Sequence, residues 1–264
     1  MPSHKPILLD GAMGTQLCAK VGDLGKYPEL LNRTHSEDVR GIHRAYAAAG
    51  AEIITSNTFT LSPFRARQAE YKFQELLRCA LVNAVDSGVP VALNVGPLGK
   101  LLEPYGDLKA DEARDEFSTM IALGGQLADY ILIETLVDLR EAEIAIDAAM
   151  GATDKPVMIT MTFKPDGTTF MGTAAETFAA RADALGVNAL GFNCTVNPLE
   201  GHTIFEKLRS ATDLPIIVQP NQLDDPNEFA DAMMWYAERG AGYVGGCCGT
   251  TPAHISALRA LLDG

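Results

Sequence analysis

The chain has 264 residues, of which 47% are hydrophobic and 21% charged, and its net charge is -13 at pH 7. An acidic surface repels phosphates, so this charge argues against nucleic acid as a partner. No apolar run approaches the roughly 20 residues that cross a bilayer, which argues against a membrane partner. Residues 1–6 lack an apolar signal region, and the five cysteines are an odd number. Both features predict a reducing cytoplasm with free or metal-bound thiols.

Short apolar, β-branched runs alternate along the chain with longer segments of helical spacing. The runs predict eight strands, at residues 7–11, 52–59, 91–97, 130–135, 157–163, 189–194, 215–221 and 243–247. Cap residues predict four of the helices, with Ser36 before 37–49, Asp111 before 112–127, Asp138 before 139–150, and Pro226 near the start of a helix to 239.

Eight strand–helix units in a chain of this size predict the α/β class and a single closed (β/α)8 TIM barrel, with residues 1–264 as one domain. The alternative is an open doubly wound sheet. The two glycines in Asp10-Gly11-Ala12-Met13-Gly14-Thr15 lack the spacing of a dinucleotide fingerprint, which disfavours that alternative. Residues 94–105 form the longest irregular stretch and are a candidate mobile loop over the site.

Polar or metal-binding side chains end every predicted strand, where the active sites of such barrels lie. They are Asp10, Asn57, Asn94, Glu134, Thr162, Cys194, Asn221, and Cys247 with Cys248. The asparagines and the threonine are also suited to tying loops to the barrel rim. Asp10 and Glu134 would repel each other, and no lysine or arginine ends another strand, so a ligand ammonium group is a candidate partner. Loop amides that bind these carboxylates are the alternative.

Two adjacent cysteines, Cys247 and Cys248, follow the last predicted strand among glycines, and Cys194 ends the sixth. Neighbouring side chains on a strand point to opposite faces, so both sulfurs reach one target only where the strand breaks. Gly246 and Gly249 permit such a break. Three converging thiolates suit zinc with one coordination position open. The residues alone leave buried apolar thiols and a disulfide as alternatives.

The other cysteines and the histidines are not predicted to bind metal. Cys18 and Cys79 lie in helical segments and are predicted to be buried thiols. The five histidines lie at the N-terminus, near helix starts or in a loop, and are predicted to be surface or packing residues.

Five motifs resemble those of the homocysteine S-methyltransferase family, and the resemblance extends from about residue 7 to the C-terminus. They are Asp10-Gly11-Ala12-Met13-Gly14-Thr15, Ser56-Asn57-Thr58-Phe59, Glu134-Thr135, Gly191-Phe192-Asn193-Cys194 and Gly245-Gly246-Cys247-Cys248-Gly249-Thr250-Thr251-Pro252. Within the family, three stretches look most like the homocysteine-binding module of cobalamin-dependent methionine synthase. These are Met13-Gly14-Thr15, Pro28-Glu29-Leu30-Leu31-Asn32 and Gly96-Pro97-Leu98-Gly99.

This resemblance implies a site built around zinc. Cys194, Cys247 and Cys248 would hold the metal, and the homocysteine sulfur would take the fourth position. Asp10 and Glu134 would hold the substrate amino group, with loop amides near residues 11–15 holding its carboxylate. The expected substrate contacts are Asp10, Gly11, Gly14, Thr15, Asn57 and Glu134. No side chain beyond the metal site is expected to be catalytic.

The implied reaction moves a methyl group to the thiol of homocysteine and forms methionine. Because the chain ends soon after the barrel, no folate, cobalamin or reactivation domain is expected. The expected donor is methylcobalamin or a methylated corrinoid protein, and such a corrinoid would then be free or on a separate protein. S-methylmethionine, S-adenosylmethionine and betaine are alternatives; betaine ranks low because only Phe59, Phe64, Tyr71 and Tyr105 could supply an aromatic cage. A non-catalytic zinc-binding or thiol-redox barrel protein is the alternative from another class.

Overall fold

The computed structural model describes residues 5–69 and 71–264, so the expectation about residues 1–6 falls mostly outside the described part. Within those ranges eight strands form one parallel sheet in the order β1-β8-β7-β6-β5-β4-β3-β2. The strands are β1 (Ile7–Leu8), β2 (Ile54–Thr55), β3 (Val91–Val95), β4 (Tyr130–Leu136), β5 (Val157–Met161), β6 (Ala189–Asn193), β7 (Ile216–Gln219) and β8 (Tyr243–Val244). A parallel bridge between Leu9 and Ile53 joins the two ends of this order. The sheet therefore closes, and the predicted (β/α)8 barrel is confirmed.

Helices follow the strands around the barrel. In the described ranges they are α1 (Gly14–Val21), a 3-10 helix (Pro28–Leu30), α2 (Leu31–Thr34), α3 (Ser36–Ala48), α4 (Pro63–Gln68), α5 (Phe73–Val85), α6 (Ala110–Gly124), α7 (Leu139–Ala152), α8 (Ala175–Ala184), α9 (His202–Ala211), α10 (Pro226–Glu238) and α11 (Pro252–Asp263). Asp138 caps α7 as predicted, since its side chain accepts from the Arg140 N–H. Asp111 is not the cap of α6 but lies in its first turn, where its negative charge interacts favourably with the helix dipole. None of these helices is long and apolar enough to cross a membrane.

The barrel interior has an apolar layer with a polar layer above it. The apolar layer consists of Leu9, Ile53, Ala92, Leu132, Met158, Ala189 and Ile217. Because side chains alternate along a strand, the inward positions two residues further on in β3, β4 and β7 are Asn94, Glu134 and Gln219. Gly191 of β6 has no room for a side chain, since a Cβ there would lie 1.9 Å from the Ile217 carbonyl oxygen. The polar layer forms the floor of the site.

The strands end earlier than predicted where they carry cysteines. β6 ends at Asn193 and β8 at Val244, so Cys194, Cys247 and Cys248 lie in the loops that follow. Cys194 and Thr195 adopt positive φ angles of 60° and 61°, so the chain leaves the extended strand conformation directly after Asn193. The predicted strand limits are wrong here, because the backbone must leave the sheet to turn the sulfurs toward one point.

Candidate active site

Three sulfur atoms meet at the carboxyl ends of β6 and β8. The Sγ atoms of Cys194, Cys247 and Cys248 all lie within 4.8 Å of one another, and those of Cys194 and Cys248 are 3.8 Å apart. A disulfide needs an S–S distance of about 2.05 Å, and all five cysteines are free. Two sulfurs on tetrahedral zinc, with bonds of about 2.3 Å, lie about 3.8 Å apart. The donor set and its spacing therefore fit zinc.

Close backbone packing holds the cysteine loops in place. The Cys194 N–H donates to the Gln219 carbonyl at 3.1 Å, and the Cys247 N–H donates to the Pro220 carbonyl at 2.8 Å. A Cβ on Gly246 would lie 2.4 Å from the Thr250 hydroxyl, so only glycine permits this approach. The glycines around Cys247 and Cys248, which predicted a break in the strand, are needed for the close packing that brings the sulfurs together.

Contacts among the three sulfurs shift their pKa values in opposite directions. Hydrogen bonds from Cys247 and Cys248 lower the pKa of Cys194 to about 3. The same bonds to Cys194 raise the pKa values of Cys247 and Cys248. A divalent cation would replace these contacts between sulfurs and displace the thiol protons.

Two carboxyl groups face the same cavity, that of the buried Asp10 and that of the half-buried Glu134. Asp10 accepts from the Thr55 N–H at 2.8 Å and from its hydroxyl at 2.9 Å. Burial, with a smaller contribution from the charge of Glu134, raises the pKa of Asp10 to about 7. Burial also raises the pKa of Glu134 to about 7, against the hydrogen bond from Asn94. Among the described residues that line the cavity there is no lysine or arginine, so a positive charge would have to come from a ligand.

The cavity brings together the nine predicted metal ligands and substrate contacts, whereas Thr162 and Asn221 of the predicted strand ends do not line it. Its volume is about 330 Å³, and its lining includes Asp10, Gly11, Gly14, Thr15, Asn57, Glu134, Cys194, Cys247 and Cys248. Asn57 is already engaged, because its amide donates to the Asn32 side-chain oxygen at 3.1 Å. Of the predicted mobile stretch 94–105, only Asn94 lines the cavity. The apolar part of the lining includes Met13, Leu17, Leu24, Pro28 and Phe59 and forms an apolar wall of the cavity.

The amino end of α1 supplies backbone N–H groups to the cavity. Gly14 begins this helix, and Gly14 and Thr15 line the cavity. The N–H groups of a first helical turn have no partner within the helix, and they favour anions such as carboxylates. Gly11 approaches Thr250 closely, since a Cβ there would lie 2.6 Å from its hydroxyl oxygen. This packing fixes the loop that leads into α1.

Sequence reasoning missed part of the polar floor. Thr55, Asn193 and Gln219 were not predicted as site residues, yet Thr55 bonds to Asp10, Asn193 bonds to Glu134, and Gln219 lines the cavity. The alternation of side chains along a strand could have identified them, because all three side chains point inward above the apolar layer. The Asn221 side-chain oxygen is buried without a partner, and its amide nitrogen contributes to the low pKa of Cys194.

The prediction of buried thiols outside the site is wrong for Cys18. Cys18 is exposed and Cys79 is half-buried. The reason is the short α1 helix, which buries only Leu17 and leaves its other face in solvent. Within the described residues, which do not include His4, no histidine joins the cysteine cluster.

A sequence model described as Homocysteine S-methyltransferase matches residues 7–262. The chain belongs to the homocysteine S-methyltransferase family. The match covers nearly the whole barrel and includes the cysteine loops and both carboxylates.

Relatives in sequence and solved structures are similar to nearly the whole of this chain. Methionine synthase of Mycobacterium tuberculosis is 31% identical over 98% of this chain, and that of Mycobacterium leprae is 31% identical over 95%. The chain spans about a quarter of the length of these relatives (25% and 24%). The oxidized form of the homocysteine methyltransferase MmuM from Escherichia coli has a TM-score of 0.88 at 24% identity and covers 98% of this chain and 97% of its own. The metallated form has a TM-score of 0.87 at 23% identity with the same coverage. This likeness shows the fold shared within the family.

Proposed function

We propose that the protein transfers a methyl group to the thiol of homocysteine and forms methionine, with residues 1–264 acting as one homocysteine-binding domain. The observation that carries this proposal is the shared cavity, in which three converging sulfurs lie with the carboxyl groups of Asp10 and Glu134. A storage or redox site for metal has no need of an ammonium-binding pair beside it. This disfavours a non-catalytic zinc-binding or thiol-redox protein.

Zinc is the proposed cofactor, held by Cys194, Cys247 and Cys248. When bound, zinc would lower the pKa of a coordinated substrate thiol and keep the resulting thiolate reactive without redox chemistry. The cysteine loops hold their three sulfurs through backbone bonds to neighbouring strand ends. The free thiols fit a reducing compartment, so we propose the cytoplasm as the location.

The carboxylates and the α1 terminus would orient the substrate. Asp10 and Glu134 would receive its ammonium group, which would relieve the cost of burying two acidic groups together. The N–H groups of Gly14 and Thr15 would receive its carboxylate. The substrate is thus fixed at both ends of its amino-acid part, and its sulfur is directed to the cysteines.

Methyl transfer then needs no general base in the cavity. A sulfur lone pair forms the new S–C bond while the bond from carbon to the donor breaks, and its electron pair leaves with the donor. With the metal in place, the thiol proton would pass to solvent when the substrate binds. The apolar wall that includes Met13, Leu24 and Phe59 would limit water at the reacting carbon.

A methylated corrinoid is the proposed donor. Phe59 alone of the four candidate aromatic residues lines the cavity, which disfavours the cage that betaine requires. S-methylmethionine and S-adenosylmethionine carry a carboxylate, and the lining offers no lysine or arginine for a second one. Exposed Tyr105 and Phe170, at 70% and 65%, lie in the loops after β3 and β5, and such apolar side chains suit contact with a large partner.

A panel of methyl donors tests the proposal. Zinc-loaded protein and homocysteine would be assayed for methionine with methylcobalamin, S-methylmethionine, S-adenosylmethionine and betaine, and with Cys247→Ser as the inactive control. We expect methylcobalamin to be the best donor. Faster methionine formation from a sulfonium compound would show that the methyl donor is that compound and not a corrinoid. Stoichiometric zinc without methylation from any donor would favour the non-catalytic alternative.

A further inference from the structure

The side chain of Asn193 connects the carboxylate part of the cavity with the cysteine part. It is 1% exposed at the end of β6. Its oxygen accepts from the Thr160 hydroxyl at 2.9 Å and from the Thr135 N–H at 3.0 Å. Its nitrogen lies 2.7 Å from the Thr135 hydroxyl, 3.2 Å from Glu134 Oε2 and 3.8 Å from Cys247 Sγ. One buried amide therefore contacts both functional halves of the site.

We propose that Asn193 is a positioning residue that holds Glu134 at a set distance from the cysteine cluster and so selects the amino thiol that fits between them. This inference rests on the proposed function, in which Glu134 receives the substrate ammonium group. Asn193 itself is not required to touch the reacting atoms. It acts through Glu134.

The backbone at Glu134 needs such support. The residue after it, Thr135, has a positive φ of 64°, which is rare for a β-branched residue. The pairing of β4 with β5 also shifts register between Ile133 and Leu136, which marks a bulge at Glu134. Asn193 bonds to both the N–H and the hydroxyl of Thr135. The amide thus stabilises the irregular backbone that directs Glu134 into the cavity.

Glu134 is held from two sides. Its Oε1 accepts from the Asn94 amide at 2.7 Å, and its Oε2 faces Asn193. The Asn193 amide has two N–H groups, and three acceptors lie near them: the Thr135 hydroxyl, Glu134 Oε2 and Cys247 Sγ. The short contact to Thr135 occupies one of them and leaves the other between Glu134 and Cys247. Because Asn193 also directly precedes Cys194 in the chain, any shift of its side chain changes the spacing between the carboxylate and the sulfurs.

A fixed spacing would discriminate substrates by chain length. Homocysteine has two methylene groups between its α-carbon and sulfur, and cysteine has one. With the amine and the sulfur both held, the shorter thiol cannot satisfy both contacts. A buried amide that is hydrogen-bonded through both its oxygen and its nitrogen holds the spacing between the carboxylate and the sulfurs more firmly than an exposed side chain would.

Binding measurements on matched thiols test this role. Zinc-loaded wild type, Asn193→Ala and Asn193→Asp would be titrated calorimetrically with homocysteine, with cysteine, and with 4-sulfanylbutanoic acid, which is homocysteine without its amino group. We expect Asn193→Ala to weaken homocysteine binding roughly ten- to a hundredfold, the effect of losing a hydrogen bond to a charged group. Binding of the acid without an amino group should change little, and the preference over cysteine should fall. In turnover, KM for homocysteine should rise more than kcat falls.

Asn193→Asp keeps an oxygen for Thr135 and Thr160 but loses the N–H groups toward Glu134, so it should act in the same direction without the cavity left by alanine. Thr162→Val is the matched control, because the Thr162 hydroxyl donates to the Asn193 backbone carbonyl at 3.2 Å. This variant should leave the ratio of the affinities for homocysteine and for 4-sulfanylbutanoic acid as it is in wild type.

Three results would overturn the inference. If Asn193→Ala weakens both four-carbon thiols equally, the residue is only structural. If both Asn193 variants lose their zinc, it acts on the cysteines rather than on Glu134. If wild type itself fails to prefer homocysteine over the acid without an amino group, the proposed amino-group subsite is wrong, and this inference fails with it. The first two results leave the proposed function intact.

Discussion

At the scale of single residues, the free cysteines divide into a cluster and two isolated thiols, and this division predicts metal content. Cys247→Ser should lose nearly all bound zinc, because it removes a thiolate from a set of three. Cys18→Ser should keep about one zinc per chain, since Cys18 is exposed on α1 away from the cluster. Elemental analysis of the purified variants measures both. Equal zinc in the two variants would contradict the assigned ligands.

His43 on α3 predicts a pH dependence of stability. Both of its ring nitrogens are buried without a partner, and burial lowers its pKa to about 4 despite the attraction of Asp86. Stability from the neutral ring is complete above the unfolded-state pKa of about 6.5 and is lost as the pH falls toward 4. The loss amounts to something on the order of 3 kcal/mol. Urea unfolding between pH 7.5 and 4.5 should show a shallower decline in His43→Leu than in wild type.

The exposed His35 provides the control for this measurement. His35→Gln should follow the wild-type decline. A His43→Leu protein with the same decline as wild type would assign the acid sensitivity to other groups.

At the scale of elements, a buried ion pair attaches the 3-10 helix to α4. Glu29 has a side chain that is 0% exposed and bonds to Arg65 at 2.7 Å, Tyr71 at 2.6 Å and Thr60 at 2.9 Å. Because Arg65 remains one-third exposed, we expect Glu29→Ala to lower the free energy of unfolding by roughly 2–4 kcal/mol. Pro28 and Thr60 line the cavity, so homocysteine binding should also weaken.

The exposed pair of Arg33 and Glu75 is the matched comparison, with an N–O distance of 3.1 Å. Glu75→Ala should cost less than about 1 kcal/mol. Denaturant unfolding of the two variants measures the difference, and equal losses would show that the Glu29 network does not stabilise the 3-10 helix.

At the scale of the whole molecule, the barrel core and the cysteine cluster are separate. The core packs helices against strands, whereas the cysteines lie in loops beyond β6 and β8. Removal of zinc with a chelator should therefore leave the far-ultraviolet circular dichroism unchanged at 25 °C. It should lower Tm by roughly 5–10 °C, because zinc at a hundred times its Kd adds about 2.7 kcal/mol. Loss of helical signal on chelation would contradict this separation.

Local patterns in the sequence determined the barrel and the identity of the nine predicted cavity residues, because alternating apolar runs, cap residues and the glycine-flanked cysteines act over short distances. Only the tertiary structure decided where the strands stop, that Cys18 is exposed, and that Thr55, Asn193 and Gln219 complete the floor. These features depend on the closing of β1 on β2 and on contacts between residues far apart in the chain, such as Asn193 with Glu134. A one-dimensional pattern shows which way a side chain points along its strand, but which side chain it meets across the barrel depends on strand register and loop geometry.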